Sequence, residues 1–125
     1  PGLVRYRTEL ASVTGGRETR LHRADDLVCG DVYLVNGQSN AVATDFGRET
    51  PDFRSPWIRT FGKTWSEARH RGGDGEIGYW AMELARQLVE THRIPVCILN
   101  GAVGGTRIDQ HQRDPRRPDD PETLY

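Results

Sequence analysis

Apolar and polar positions along the chain predict short strands, one long helix and several loops. Residues 3–10 (Leu-Val-Arg-Tyr-Arg-Thr-Glu-Leu) set apolar and aromatic side chains between polar ones, the period-two pattern of a strand with one wet face. Thr14-Gly15-Gly16 is a turn signal and Thr19-Arg20-Leu21-His22 a return strand, so a hairpin or arm is predicted before Asp25-Asp26. Val32–Val35 is an apolar run of strand length that ends in Asn36-Gly37-Gln38-Ser39, and Asn40-Ala41-Val42-Ala43 predicts a short helical turn after it. Between Thr44 and Pro56, Gly47, Pro51 and Pro56 forbid a long helix. Trp57–Phe61 alternates again and predicts a second core strand. Residues 62–75, with Gly72-Gly73-Asp74-Gly75 among them, predict a long surface loop, a class that tends to carry function in compact domains.

The clearest helix runs from about Gly78 to His92. Ala81, Leu84, Ala85, Leu88 and Val89 form its apolar stripe, and Glu83, Arg86, Gln87 and Glu90 its polar face. Pro95 stops it. Ile94–Leu99 is then a continuous apolar run, the mark of a strand buried on both faces if the sheet is parallel. Asn100-Gly101-Ala102-Val103-Gly104-Gly105-Thr106 follows as a loop of small residues, and Arg113–Pro121 is an exposed Asp/Arg/Pro-rich loop. This order of elements predicts an α/β sheet with parallel pairing. Three core strands and one good helix are too few to cover both faces of a doubly wound sheet, so the expectation is a domain incomplete at its C-terminus.

Composition narrows the picture only a little. With 125 residues, 35% hydrophobic and 28% charged, the chain suits one globular domain or part of one. A net charge of -1 gives no electrostatic reason to expect nucleic acid or an anionic membrane as partner, and no stretch approaches spanning length. Cys29 and Cys97 have neither zinc nor redox spacing; Cys97 reads as a small buried hydrophobe, with a pairing to Cys29 left open. Acidic residues do not cluster with histidines at ligand spacing, so no metal and no other cofactor are expected.

The candidate chemistry gathers around Ser39. In an open α/β sheet, ligands bind beyond the carboxyl ends of the strands. The loops Gly37–Asn40 and Asn100–Thr106 both follow apolar strands and should meet at that edge. Ser39 offers a hydroxyl nucleophile, and small residues nearby let backbone N–H groups approach a developing oxyanion. Gly-Gln-Ser-Asn is equally a set of turn formers. Gln38 and Asn40 suit loop-orienting side chain–backbone bonds. Gly78 reads either as an oxyanion glycine or as a helix-start residue, and Asn100 either as an oxyanion donor or as a strand-end turn residue. His22, His70 and His92 read as surface residues, and Asp31 as a turn or cap residue.

Two blocks carry a family resemblance. Gly30-Asp31-Val32-Tyr33-Leu34-Val35-Asn36-Gly37-Gln38-Ser39-Asn40 resembles the nucleophile block of the SGNH-hydrolase superfamily in its sialate O-acetylesterase-like carbohydrate esterase branch, and Gly104-Gly105-Thr106-Arg107-Ile108 resembles that branch's downstream block. Gly78-Tyr79-Trp80 and Pro121-Glu122-Thr123-Leu124-Tyr125 are similar to it as well, so the resemblance covers about residues 29–125. It implies a three-layer, flavodoxin-like parallel sheet in residues 29–125, with residues 1–28 as a β-hairpin arm or the tail of a preceding β-rich region. It implies a serine esterase acting on O-acetylated carbohydrates, with Ser39 as nucleophile and its N–H as one oxyanion donor. Gly78, Gly104, Gly105 or Asn100 would complete the hole, and Gln38, Asn40 and Thr106 would line the substrate loops. An acetylated carbohydrate is the implied partner, and a secreted or periplasmic location goes with such substrates. The family's Asp-x-x-His block has no counterpart here: Asp109-Gln110-His111 is one residue short and follows the Gly-Gly-Thr loop directly. His111, where the branch often has Trp, is therefore expected at a surface or pocket wall rather than as general base. The implied activity thus needs a base beyond Tyr125, and the competing class is a catalytically silent carbohydrate-binding relative.

Overall fold

The computed structural model describes residues 2–42 and 53–120. Ala43, most of the 44–56 stretch and the Pro121–Tyr125 block lie outside the described residues.

Two long strands open the chain, β1 (Arg5–Thr14) and β2 (Arg17–Val28), paired antiparallel. They join through Gly15-Gly16, both at positive φ (57° and 78°), the backbone a tight two-residue hairpin demands. The hairpin is longer than its sequence pattern suggests, because two register shifts let pairing continue to Arg5↔Val28. Near its base Asp26 sits at φ 60° and accepts from Arg59 at 2.8 Å, with Arg5 3.2 Å away. The Arg5 guanidinium lies 5.7 Å over the Trp57 ring. These contacts anchor the arm to the sheet, and the Arg59 bond holds the Asp26 carboxyl below its ordinary range.

The second sheet contains β3 (Asp31–Val35), β4 (Ile58–Phe61), β5 (Trp65–Glu67) and β6 (Val96–Asn100) in the order β3-β6-β4-β5. Here β6 is parallel to both β3 and β4, while β5 is an antiparallel edge. The expected α/β fold with parallel pairing and an N-terminal hairpin is therefore found. Strand β5 falls inside the stretch expected to be loop. Its turn is held by the Asp74 carboxylate, which accepts from the Lys63 and Thr64 N–H groups at 2.8 and 3.2 Å.

Helix α2 (Tyr79–His92) ends where Arg93 turns left-handed at φ 56°, two residues before Pro95. It covers one face of the sheet. Ala81, Met82, Ala85 and Val89 pack with Val35, Ile58, Val96 and Ile98 in the core, while Leu84 is 37% exposed. The buried stripe is thus turned toward Met82, away from the Leu84 position expected from the pattern. On the opposite face Val32 (62%), Leu34 (72%) and Trp65 (67%) stand open. Cys29 is exposed and Cys97 buried, both as free thiols, and burial pushes the Cys97 thiol up.

Candidate active site

Parallel register decides which loops meet. Val35 pairs with Asn100 on the last rung of β3 and β6, so the segments after them leave the sheet side by side. Gly101 N–H donates to Val35 O at 2.9 Å and Val103 N–H to Gly37 O at 3.0 Å, stitching the two loops together. Gly37 sits at φ 144°, where a side chain is strained, and this lets the chain swing from strand into the short helix α1 (Ser39–Val42). Ser39 opens α1, so its N–H lies outside the intrahelical hydrogen bonds.

The Ser39 hydroxyl donates to Gln38 Oε1 at 2.9 Å. Its partner is an amide oxygen, not an imidazole. Gln38 therefore sits on the Ser39 hydroxyl itself. Asn40 contributes its backbone: the Trp80 indole N–H donates to Asn40 O at 2.9 Å, tying the first turn of α2 to α1. Gly78 caps α2 at φ 85°, the helix-start role.

Asn100 is the most connected side chain of the group. Its Nδ2 donates to Ile77 O at 2.8 Å and to Ala41 O at 3.2 Å, and its Oδ1 accepts the Ala102 N–H at 3.0 Å. Ser39, Asn100 and the segment entering Gly78 are thus assembled as one unit.

The Gly-Gly-Thr loop is built differently. Gly104 and Gly105 are exposed, with open space where a Cβ would stand. Thr106 turns its hydroxyl onto its own loop, donating to Val103 O at 2.6 Å. That hydroxyl has one hydrogen, so the 2.7 Å contact with His111 Nε2 requires the imidazole to donate there. The neutral ring is then the Nε2–H tautomer, and its buried Nδ1 has no partner among the described residues. No hydrogen bond joins His111 to Ser39 among the described residues. The 3-10 turn Ile108–His111 that carries it went unforeseen; its signal is Arg107, whose N–H bonds Gln110 and whose guanidinium pairs with Asp109 at 2.7 Å. That pairing holds the Asp109 carboxyl below its ordinary range.

A cavity of about 420 Å³ lies elsewhere, between β2 and the sheet, lined among others by Asp26, Asp31, Val32, Arg59, Trp65 and Cys97. It opens by the amino ends of β3 and β6, whereas ligands of α/β sheets bind at the carboxyl ends. None of Gln38, Ser39, Asn40 and Asn100 lines it.

No family model matches the chain, and no curated protein matches it. Among solved structures, a novel carbohydrate acetylesterase from Xanthomonas citri is similar, with a TM-score of 0.51 and 22% identity, over 94% of this chain and 32% of that one. A likeness at that identity establishes the fold: a mixed α/β sheet, consistent with a flavodoxin-like arrangement, carrying an antiparallel hairpin. The chain spans about a third of that neighbour's length.

Proposed function

We propose that the chain carries the nucleophile segment of a serine esterase that removes O-acetyl groups from carbohydrates, in the manner of sialate O-acetylesterases. One observation carries this reading. Ser39 is delivered at the carboxyl end of β3, on the first residue of a helix, beside the small-residue loop that leaves β6 on the same rung. Support also comes from the neighbour of similar fold being a carbohydrate acetylesterase.

In this reading Ser39 Oγ attacks the acetyl carbonyl carbon and the C=O electron pair moves onto oxygen. The Ser39 N–H and a glycine N–H, from Gly78 or Gly104-Gly105, hold that oxyanion, each donor contributing about 100- to 1,000-fold to the rate. The tetrahedral intermediate collapses to an acetyl-serine, releasing the sugar hydroxyl, and water then frees acetate. Gln38, Asn40 and Thr106 border the substrate. The Ser39 proton must leave to a base, a contribution of about 100- to 10,000-fold. In this reading that base is an imidazole supplied from beyond these residues, which the engagement of Ser39 with Gln38 and of His111 with Thr106 supports.

The second reading, a catalytically silent carbohydrate-binding relative, draws on the same Ser39–Gln38 bond, because an unactivated serine hydrolyses nothing at a useful rate. Fluorophosphonate labelling of the full-length protein separates the two. The esterase reading expects covalent modification of Ser39, release of acetate from O-acetylated sugars, and loss of both in Ser39→Ala with the fold intact. Folded protein that binds such sugars without being labelled belongs to the silent class. Residues 1–125 alone should turn over an aryl acetate far more slowly than the full-length protein. Equal rates would place the base within these residues.

A further inference from the structure

We infer that Asn100 is the positioning residue of the Ser39 site: it fixes the Ser39 segment and the segment entering Gly78 in one frame and does not itself donate to the reacting oxygen. The functional sense of this inference rests on the esterase reading; its geometry does not. An asparagine amide has two N–H hydrogens and one carbonyl oxygen. Both hydrogens of Asn100 are engaged by backbone carbonyls, those of Ile77 and Ala41, and the oxygen by the Ala102 N–H. A third acceptor, the substrate oxyanion, would have to displace one of them.

The partners explain why this amide matters. Ala41 lies two residues after Ser39, in the short helix α1, and its carbonyl accepts from the Asn100 amide at 3.2 Å. Ile77 immediately precedes Gly78 and is fully buried, at 0% exposure. Asn100 reaches 59 residues back to the first and 23 back to the second, so a single planar group sets the distance between Ser39 and Gly78. Its own Cα is held by the last rung of the sheet, opposite Val35. From outside, the Trp80 indole repeats the link by bonding Asn40 O. Preorganised donors need placement to within about 0.5 Å, and an amide bonded on three sides to backbone is a rigid way to provide it.

The test begins with the unaltered full-length protein, in which side-chain amide hydrogen exchange is read by nuclear magnetic resonance. Both Nδ2 hydrogens of Asn100 should exchange at least about tenfold more slowly than those of Asn36 and Asn40, the factor expected for one net hydrogen bond. In Asn100→Asp and Asn100→Ala, backbone resonances should shift in both segments 39–42 and 77–80. Values of kcat for an aryl acetate should fall about 100-fold, as a misplacement near 1 Å does, with KM little changed. Exchange as fast as that of Asn36, or shifts confined to residues 99–102, overturns the inference and returns Asn100 to the role of free donor. If exchange is slow but Ser39 is never labelled, the esterase reading fails, and Asn100 stands as the residue that positions a binding loop.

Discussion

Gly30 precedes β3, the strand that leads to Ser39, and a Cβ added there would stand 1.8 Å from Pro95 O and 2.5 Å from Pro95 C. Normal contact is about 3.5 Å or more, so the two backbones would have to separate by about 1.5 Å. Pro95 cannot relieve this by rotating φ, which its ring fixes. The Asp31 N–H bond to Pro95 O, 3.1 Å long, lies directly in the path of that separation. Overpacking costs about 1–3 kcal/mol and the lost bond about 1 kcal/mol, while the stiffer unfolded chain returns about 0.4–1 kcal/mol. Gly30→Ala should therefore destabilise by about 2–3 kcal/mol, a large share of the roughly 5–15 kcal/mol a domain has. Urea unfolding followed by tryptophan fluorescence would show the midpoint falling at constant slope. Gly104→Ala is the control, because its Cβ meets nothing within 4 Å. It should stay within about 0.5 kcal/mol of the parent. A Gly30→Ala midpoint indistinguishable from that of Gly104→Ala would refute the β3–β6 register on which the site is built.

Two further outcomes follow from the same geometry. Trp80→Phe keeps the ring but removes the indole N–H that holds Asn40 O, and should lower stability by about 0.5–1.5 kcal/mol in thermal denaturation. No loss at all would mean that α2 and α1 are not joined there. Glu83, bonded chiefly by Arg86 and then by Gln87, has its carboxyl pulled down from 4.5 to about 2. A folded value below the unfolded one means that its contribution is present above pH 4.5 and is lost as pH falls toward 2. In a far-UV circular dichroism titration, Glu83→Gln should weaken less than the parent across that window, and parallel curves would show the Arg86 contact to be idle.

Much of the fold was legible because its signals are local. The Gly78–His92 helix pattern and the apolar runs at Val32–Val35 and Ile94–Leu99 each carry their own periodicity and stop signals, and each forms within a residue or two of its expected bounds. Strand β5 was not legible: Trp65-Ser66-Glu67 has one apolar residue, and what makes it a strand is Asp74 gripping the turn from ten residues away. The turn to Met82 on α2 likewise depends on which sheet residues lie beneath the helix. At the site, sequence could nominate Ser39, Gln38 and Asn100 but not their bonds. Donor strength says that Asn100 could hold an oxyanion; only its distances to Ile77 O and Ala41 O show the amide already engaged. The Thr106–His111 contact was hidden for the same reason, since it needs an intervening 3-10 turn.

Strand β6 is the last of the four to be made, yet it lies between β3 and β4. On a ribosome the hairpin can close as soon as Val28 is out, because its contacts are sequential. The sheet cannot. Strand β3 has no parallel neighbour until residues 96–100 emerge, and the Ala41 carbonyl waits for an amide 59 residues downstream. At about 5–20 residues per second, the turn that holds Ser39 lacks its Asn100 bond for roughly 3–12 seconds after its synthesis. For that interval the nascent chain exposes an apolar strand with an unformed serine loop, a natural target for holding chaperones, and the site comes into being in a single late step rather than by gradual accretion.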